Sequence, residues 1–215
     1  MDAIFVKPRV ELRRATPADA RFISWVVLEA MDREHTEFAS KPGLEAVLEK
    51  ICKREDTLYS WKNACVATYG GKVAGALIAY DGAPYKETAD LTFSLISKAL
   101  DMDKPNPGTE TEAGEYYLDS LAVAPEFRGH SIGSILIQNA LEEAQALGFT
   151  KATLLVDSRK DYLQRLYGRL GLYMYAVTDL YHDLTFGVVL TQPLIGDYPS
   201  VLRERQCRQH EGHQH

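Results

Sequence analysis

Between Arg128 and Ser134 the chain reads Arg-Gly-His-Ser-Ile-Gly-Ser, just after an apolar run ending in Val123-Ala124-Pro125 and just before a segment of helical periodicity. A strand, a tight loop and a helix start in that order place successive backbone N–H groups at the positive end of a helix dipole. Gly129 and Gly133 would let the backbone come close to phosphate oxygens. Arg128 and His130 add cationic or hydrogen-bonding capacity, so a pyrophosphate is the ligand this pattern suits. Two other phosphate loops do not fit. No Lys follows Gly133, as a Walker loop requires, and the G-x-G-x-x-G of dinucleotide-binding turns is missing. Taken alone, the loop could still be a plain strand-to-helix turn with chance glycines.

Other residues of chemical interest lie outside this loop. From Asp101 to Glu115 there are five acids (Asp101, Asp103, Glu110, Glu112, Glu115) against one base, Lys104. A solvated loop is the default reading of that stretch, and a lid attracting a cationic acceptor is the sharper one. His210, His213 and His215 could ligate a metal, but they stand in a polar tail, and no metal is expected. Cys52, Cys65 and Cys207 are widely spaced and odd in number, which reads as reduced thiols of a cytoplasmic protein.

The elements that must position these groups follow from periodicity. Val10–Arg14 reads as a first strand. Thr16-Pro17-Ala18-Asp19 opens a helix with a capping-box-like pattern. Leu44, Val47, Leu48 and Ile51 mark a second helix. Ala64–Tyr69 and Lys72–Tyr80 are strands joined by Gly70-Gly71, a hairpin signal. Residues 85–100 have a helical pattern, and the polar stretch up to Glu115 reads as a loop. Tyr116–Val123 is a strand, Ile132–Leu147 an amphipathic helix, Ala152–Val156 a strand and Asp161–Leu170 a helix. Strands at Leu172–Thr178 and Leu184–Leu190 close the domain. The run is one strand, two helices, three strands and then strand-containing αβ units, hence a mixed α/β sheet with helices on both faces.

The 215 residues are 46% hydrophobic, enough for one domain, expected over residues 8–192 with an insertion at about 85–115. Residues 199–215 read as a polar, disordered tail. A net charge of −6 argues against nucleic acid. No secretion signal opens the chain, and no apolar run approaches the ~20 residues of a membrane span.

Tyr117-Leu-Asp-Ser-Leu-Ala-Val-Ala-Pro-Glu-Phe-Arg-Gly-His-Ser-Ile-Gly133 resembles the acetyl-coenzyme A signature of the GCN5-related N-acetyltransferase (GNAT) superfamily. In that pattern an apolar strand ends near V-x-P, and [QR]-x-x-G-x-[GA] opens a helix. Arg128, Ile132 and Gly133 match, whereas Ser131 stands where the family usually has Gly. Downstream, Leu166-Tyr-Gly-Arg-Leu-Gly-Leu172 is similar to the family's L-Y-x-x-x-G-[FL] ending, with Lys160 where Asn is common.

The resemblance implies a mostly antiparallel sheet with one splayed parallel strand pair, Tyr116–Val123 and Ala152–Val156, and acetyl-CoA as co-substrate in the gap. It implies contacts along Leu121, Ala122 and Val123, along Arg128, Gly129, His130, Ser131, Ile132, Gly133 and Ser134, and at Lys160 and Tyr167. The Val123 N–H would hold the thioester carbonyl and stabilise its oxyanion. Tyr167 aligns with the tyrosine that protonates the departing thiolate. Deprotonating an alkyl ammonium at pH 7 costs about 4.6 kcal/mol, so a carboxylate or water base is needed. Asp119, on the face of Leu121 by strand alternation, resembles the acidic residue proposed as base in diamine acetyltransferases; a structural Asp at a sheet edge is the alternative.

Glu34 and His35 lie where the family binds acceptor, although a helix end also explains them. The implied activity is acetyl transfer to a primary amine, on a small molecule or a peptide. A non-catalytic acetyl-CoA sensor on the same fold is the alternative reading. A homodimer is implied only by the family's habit.

Overall fold

A computed structural model describes residues 9–31, 38–106, 108–180 and 185–193. They form a seven-stranded sheet. β1 (Val10–Arg14), β2 (Ala64–Tyr69), β3 (Lys72–Asp81) and β4 (Glu115–Val123) are successive antiparallel neighbours. β4 then pairs in parallel with β5 (Lys151–Asp157). Beyond it, β7 (Thr185–Pro193) inserts antiparallel between β5 and β6 (Tyr173–Leu180). Gly70 and Gly71, at φ 57° and 78°, make the β2–β3 turn, where a primed hairpin needs positive φ at both central positions.

Five helices cover the two faces. α1 (Ala20–Ala30), α2 (Leu44–Cys52) and α3 (Tyr85–Leu100) share one core with the sheet, built on Ile23, Val27, Leu48, Ile96, Ile78 and Tyr80. α4 (Ile132–Ala146) lies on the other face, where Leu136, Ile137 and Ala140 meet Leu77, Ala79 and Leu118. The alternation of Leu77, Ala79 with Ile78, Tyr80 along β3 sends adjacent side chains to opposite cores. α5 (Asp161–Arg169) follows β5. α3, matching the helical pattern expected over residues 85–100, lies between β3 and β4, so β4 reaches β3 through a long connection rather than a turn.

The Thr16–Asp19 segment forms the expected capping box, but on a short turn ahead of the helix. Pro17–Asp19 is a separate 3₁₀ turn, and α1 begins only at Ala20. The Asp19 carboxylate accepts from the Thr16 N–H (2.8 Å), the Thr16 hydroxyl (2.9 Å) and both terminal nitrogens of Arg13 (2.8 and 2.7 Å). Arg13 holds the Asp19 carboxyl below the usual carboxylate range. Thr16 and Asp19 thus bond reciprocally, side chain to backbone, as a capping box does.

Cys52 and Cys65 are buried free thiols, and burial pushes Cys52 up to about 12. Cys207, the three tail histidines and the rest of residues 199–215 lie outside the described residues. No helix among the described residues is long and apolar enough to cross a membrane.

Candidate active site

The site begins with a sheet that comes apart. β4 and β5 pair only over Glu115–Tyr117 against Lys151–Thr153. Glu115 pins this end: buried, it forms an ion pair with Lys151 and accepts from the hydroxyls of Thr111 (2.9 Å) and Thr153 (3.3 Å). Beyond that rung, β5 stays paired along its length with β7 on its other side, and nothing draws it back to β4. On the β3 side, Ala124 N–H donates to the Ala74 carbonyl at 2.9 Å. Antiparallel ladders alternate, so the Val123 N–H, one residue earlier, points away from β3 into the gap.

β4 also carries a bulge. Ile78 faces Ser120 and Ala79 faces Leu118, which leaves Asp119 as the extra residue. The expected common face for Asp119 and Leu121 is therefore wrong. Leu118 and Leu121 pack on the α4 side, whereas Asp119 accepts from Tyr80, a member of the α1-side core. Simple alternation fails because the bulge adds one residue to the count.

α4 starts at the far end of the gap. Its N-cap, Ser131, has φ 60°, in the left-handed region that disfavours any side chain. That backbone state explains why glycine suits this position. Replacing Ser131 with Gly removes strain of about 1–2 kcal/mol and returns up to about 1 kcal/mol through the freer unfolded chain. A net gain of about 0.5 kcal/mol, raising Tm by about 1–2 °C, is the expected result in a thermal melt; a lower Tm would mean that the serine hydroxyl makes a stabilising contact. The Arg128 N–H is already used by the Pro125 carbonyl at 3.2 Å. The donors for an anion are thus the first-turn amides that follow it, not the whole of Arg128–Ser134.

A cleft of about 710 Å³ runs through the gap. Arg128 and Gly133 line it near the start of α4, and Lys160 and Arg159, the latter ion-paired with Asp157, line it after β5. Glu29, Glu110 and Asp119 also line it, as do Phe38, Tyr59 and Phe93. Leu121, Ala122, Val123 and Tyr167 are further lining residues.

Residues 27–172 match the acetyltransferase (GNAT) family model, more than half of the chain. The chain belongs to the GNAT acetyltransferase family. No curated protein matches it. Among solved structures, it is similar to an N-acetyltransferase from Staphylococcus aureus Mu50 at 23% identity, with 84% of this chain and 99% of that one covered and a TM-score of 0.72. A second structure, described as an acetyltransferase, gives 22% identity, 86% and 100% coverage and a TM-score of 0.71. The ribosomal-protein-S18-alanine N-acetyltransferase from Escherichia coli gives 13% identity, 89% and 98% coverage and a TM-score of 0.55. At these identities the likeness shows the fold.

GNAT acetyltransferases are acyltransferases that use acetyl-CoA, and the residues of this gap fit that co-substrate. A backbone donor at Val123 is turned away from its strand neighbour. The N-terminal turn of α4 offers amides without helical acceptors. At Gly133 an added Cβ would meet only Val123 Cγ2 at 3.8 Å and Leu121 Cδ2 at 3.9 Å, so a ligand can come close. Gly129, His130 and Ser131 of the loop and Ser134 of α4 do not line the cleft. The His130 ring instead packs on Tyr69, with centroids 4.4 Å apart. Ile132 is buried in the α4-side core, so its side chain is structural.

Tyr167 sits at the cleft end of α5, packed on the α4-side core. Its backbone carbonyl accepts from Leu170 (2.9 Å) and Leu172 (3.1 Å), which orients the helix end. Burial pushes its phenol up to about 12, so it stays protonated at neutral pH. Among the described residues no partner is recorded for its hydroxyl.

Asp119 is half-buried. Its Oδ2 accepts from the Tyr80 hydroxyl and its Oδ1 from the Ser120 hydroxyl, each at 2.5 Å. Burial raises its pKa, and those two donors oppose the rise.

Glu110 is the residue that sequence reasoning missed as an individual. The acidic stretch is not uniformly solvated: Glu115 locks the strands, and Glu110 turns into the cleft, accepting from the Tyr117 hydroxyl at 2.9 Å. Burial first and the Asp119 charge second push Glu110 up to about 7, against the Tyr117 hydrogen bond. Glu34 and His35 lie outside the described residues, between Met31 and Phe38, which both line the cleft. Among the described residues no group of three or more His, Cys, Asp or Glu could hold a metal.

Proposed function

We propose that this GNAT acetyltransferase moves the acetyl group of acetyl-CoA to a primary amine by direct attack. One observation carries the reading: one cleft in the β4–β5 gap is lined both by Arg128 and Lys160 and by Glu29, Glu110 and Asp119, which we take as its cationic and anionic ends. The cationic end matches a pyrophosphate, with the first-turn amides of α4 as donors and Arg128 and Lys160 beside them. The anionic end matches an ammonium, and Phe38, Tyr59 and Phe93 match an apolar body behind it. The two ends meet at Val123 and Tyr167.

Acetyl-CoA supplies an activated thioester; the chain's residues handle charge and protons. The Val123 N–H donates to the carbonyl oxygen as negative charge builds on it. A carboxylate at the anionic end takes one proton from the ammonium, leaving nitrogen a lone pair. Tyr167 gives its proton to sulfur as the C–S bond breaks and recovers the proton that nitrogen sheds as the C–N bond forms. The balance is one amide, one thiol and one proton released to solvent. Release of thiol from acetyl-CoA with monoamines, diamines, amino acids and short peptides tests the acceptor class. The cleft's charge predicts that amines outpace amino acids, whose carboxylate the anionic end repels; faster turnover of free amino acids would contradict this assignment of the two ends.

A further inference from the structure

At the anionic end the hydrogen bonds treat two carboxylates unequally. Both oxygens of Asp119 are engaged, by the hydroxyls of Tyr80 and Ser120. Glu110 accepts from Tyr117 through Oε2 alone, and among the described residues no donor is recorded for Oε1. Accepting two hydroxyl donors favours an ionised Asp119, whereas a base needs a lone pair open to the substrate.

We propose that Glu110, not Asp119, is the general base for the acceptor ammonium, and that Asp119 is a positioning residue that orients Tyr80 and presents its charge to Glu110. The inference rests on the acetyl-transfer reading above. In the step, an ammonium N–H bond breaks, its electron pair stays on nitrogen, and the proton goes to Glu110 Oε1 and later to solvent.

The surroundings support this division of roles. Tyr117 and Asp119 from β4, Tyr80 from β3 and Tyr85 from α3 make up the titratable neighbourhood, with Glu29 of α1 lining the same cleft. Burial holds the phenols of Tyr80 and Tyr117 well above their ordinary value, so both remain donors. Two carboxylates this close resist ionising together. Glu110, pushed up to about 7, is matched to accept a proton near neutral pH. Its basic form grows as pH rises through that value, and activity should rise with it.

The test compares wild type, Glu110→Gln and Asp119→Asn. Carbon-13 NMR of labelled side-chain carboxyls, over roughly pH 3–10, should show a wild-type group titrating at about 7. That group should vanish in Glu110→Gln and move to lower pH in Asp119→Asn, which removes a like charge. For kcat/KM, the acceptor is 2-phenylethylamine or 1,4-diaminobutane, whichever the wild type acetylates faster. Glu110→Gln should lose about 10²–10⁴-fold at neutral pH and recover as pH approaches the amine's own pKa. Asp119→Asn should lose no more than about tenfold and shift its rising limb to lower pH. The proposal is overturned if the raised titration survives in Glu110→Gln and disappears in Asp119→Asn, or if Asp119→Asn shows the larger, pH-recoverable loss. If the wild type acetylates neither amine, the acetyl-transfer reading is in question, and the NMR comparison still decides which carboxyl holds the raised proton.

Discussion

Tyr167→Phe should lower turnover by about 10²–10⁴-fold, the range of a single positioned proton donor, with acetyl-CoA affinity nearly unchanged. The variant removes one hydroxyl for which the described residues record no partner, and it keeps the ring that packs on the α4-side core. Stability should therefore change by less than about 0.5 kcal/mol. The pH dependence separates this loss from that of a missing base. The wild-type phenol, pushed up to about 12, is a donor throughout the neutral range, so raising the pH should not restore the variant. Near-wild-type turnover with an active amine, measured as kcat by thiol release, would reassign Tyr167 to packing.

Gly133→Val should abolish useful acetyl-CoA binding while leaving the fold standing. An alanine at 133 has room, since its Cβ would sit 3.8 and 3.9 Å from the nearest side-chain atoms, ordinary contact distances. The two further methyl groups of valine extend beyond that Cβ at a position that lines the cleft. Gly133→Ala is expected to weaken binding by no more than about threefold and Gly133→Val by about 100-fold, or about 2.8 kcal/mol. Calorimetric titration with acetyl-CoA, beside circular dichroism to confirm folding, measures both. Equal affinities for wild type and Gly133→Val would remove the α4 turn from the cofactor site.

The parts of this site that could be read from the sequence are those set by local rules. Gly70-Gly71 specifies its hairpin through φ alone. The strand, turn and helix start around Arg128–Gly133 are legible because the apolar strand, the glycines and the helical periodicity are each local signals. Asp119 shows the limit. Counting by twos places it with Leu121, and one bulged residue moves its hydrogen bond to the opposite core. No local propensity marks a bulge inside an otherwise regular apolar strand.

Glu110 and Glu115 show a second limit. Both lie in one polar stretch without periodicity, and each is placed by a partner distant in the fold or fixed by loop closure. Glu115 meets Lys151 and Thr153 across the strand pair, while Glu110 meets Tyr117 in the cleft wall. Such long-range pairings decide which acid of five is solvated, which locks a strand and which lines the cleft. Ser131 is the converse case, where the departure from the family pattern is visible in the sequence and its consequence is a measurable backbone angle.

The central claim is that one cleft joins a thioester to an amine. It is tested most directly by incubating the protein with acetyl-CoA carrying a labelled acetyl group and with the amine that releases thiol fastest. Labelled N-acetyl amine should form in equal amount to free thiol, with neither formed by Gly133→Val at the same concentrations. Thiol release without labelled amine, or binding of acetyl-CoA with no amine-dependent release, would contradict it.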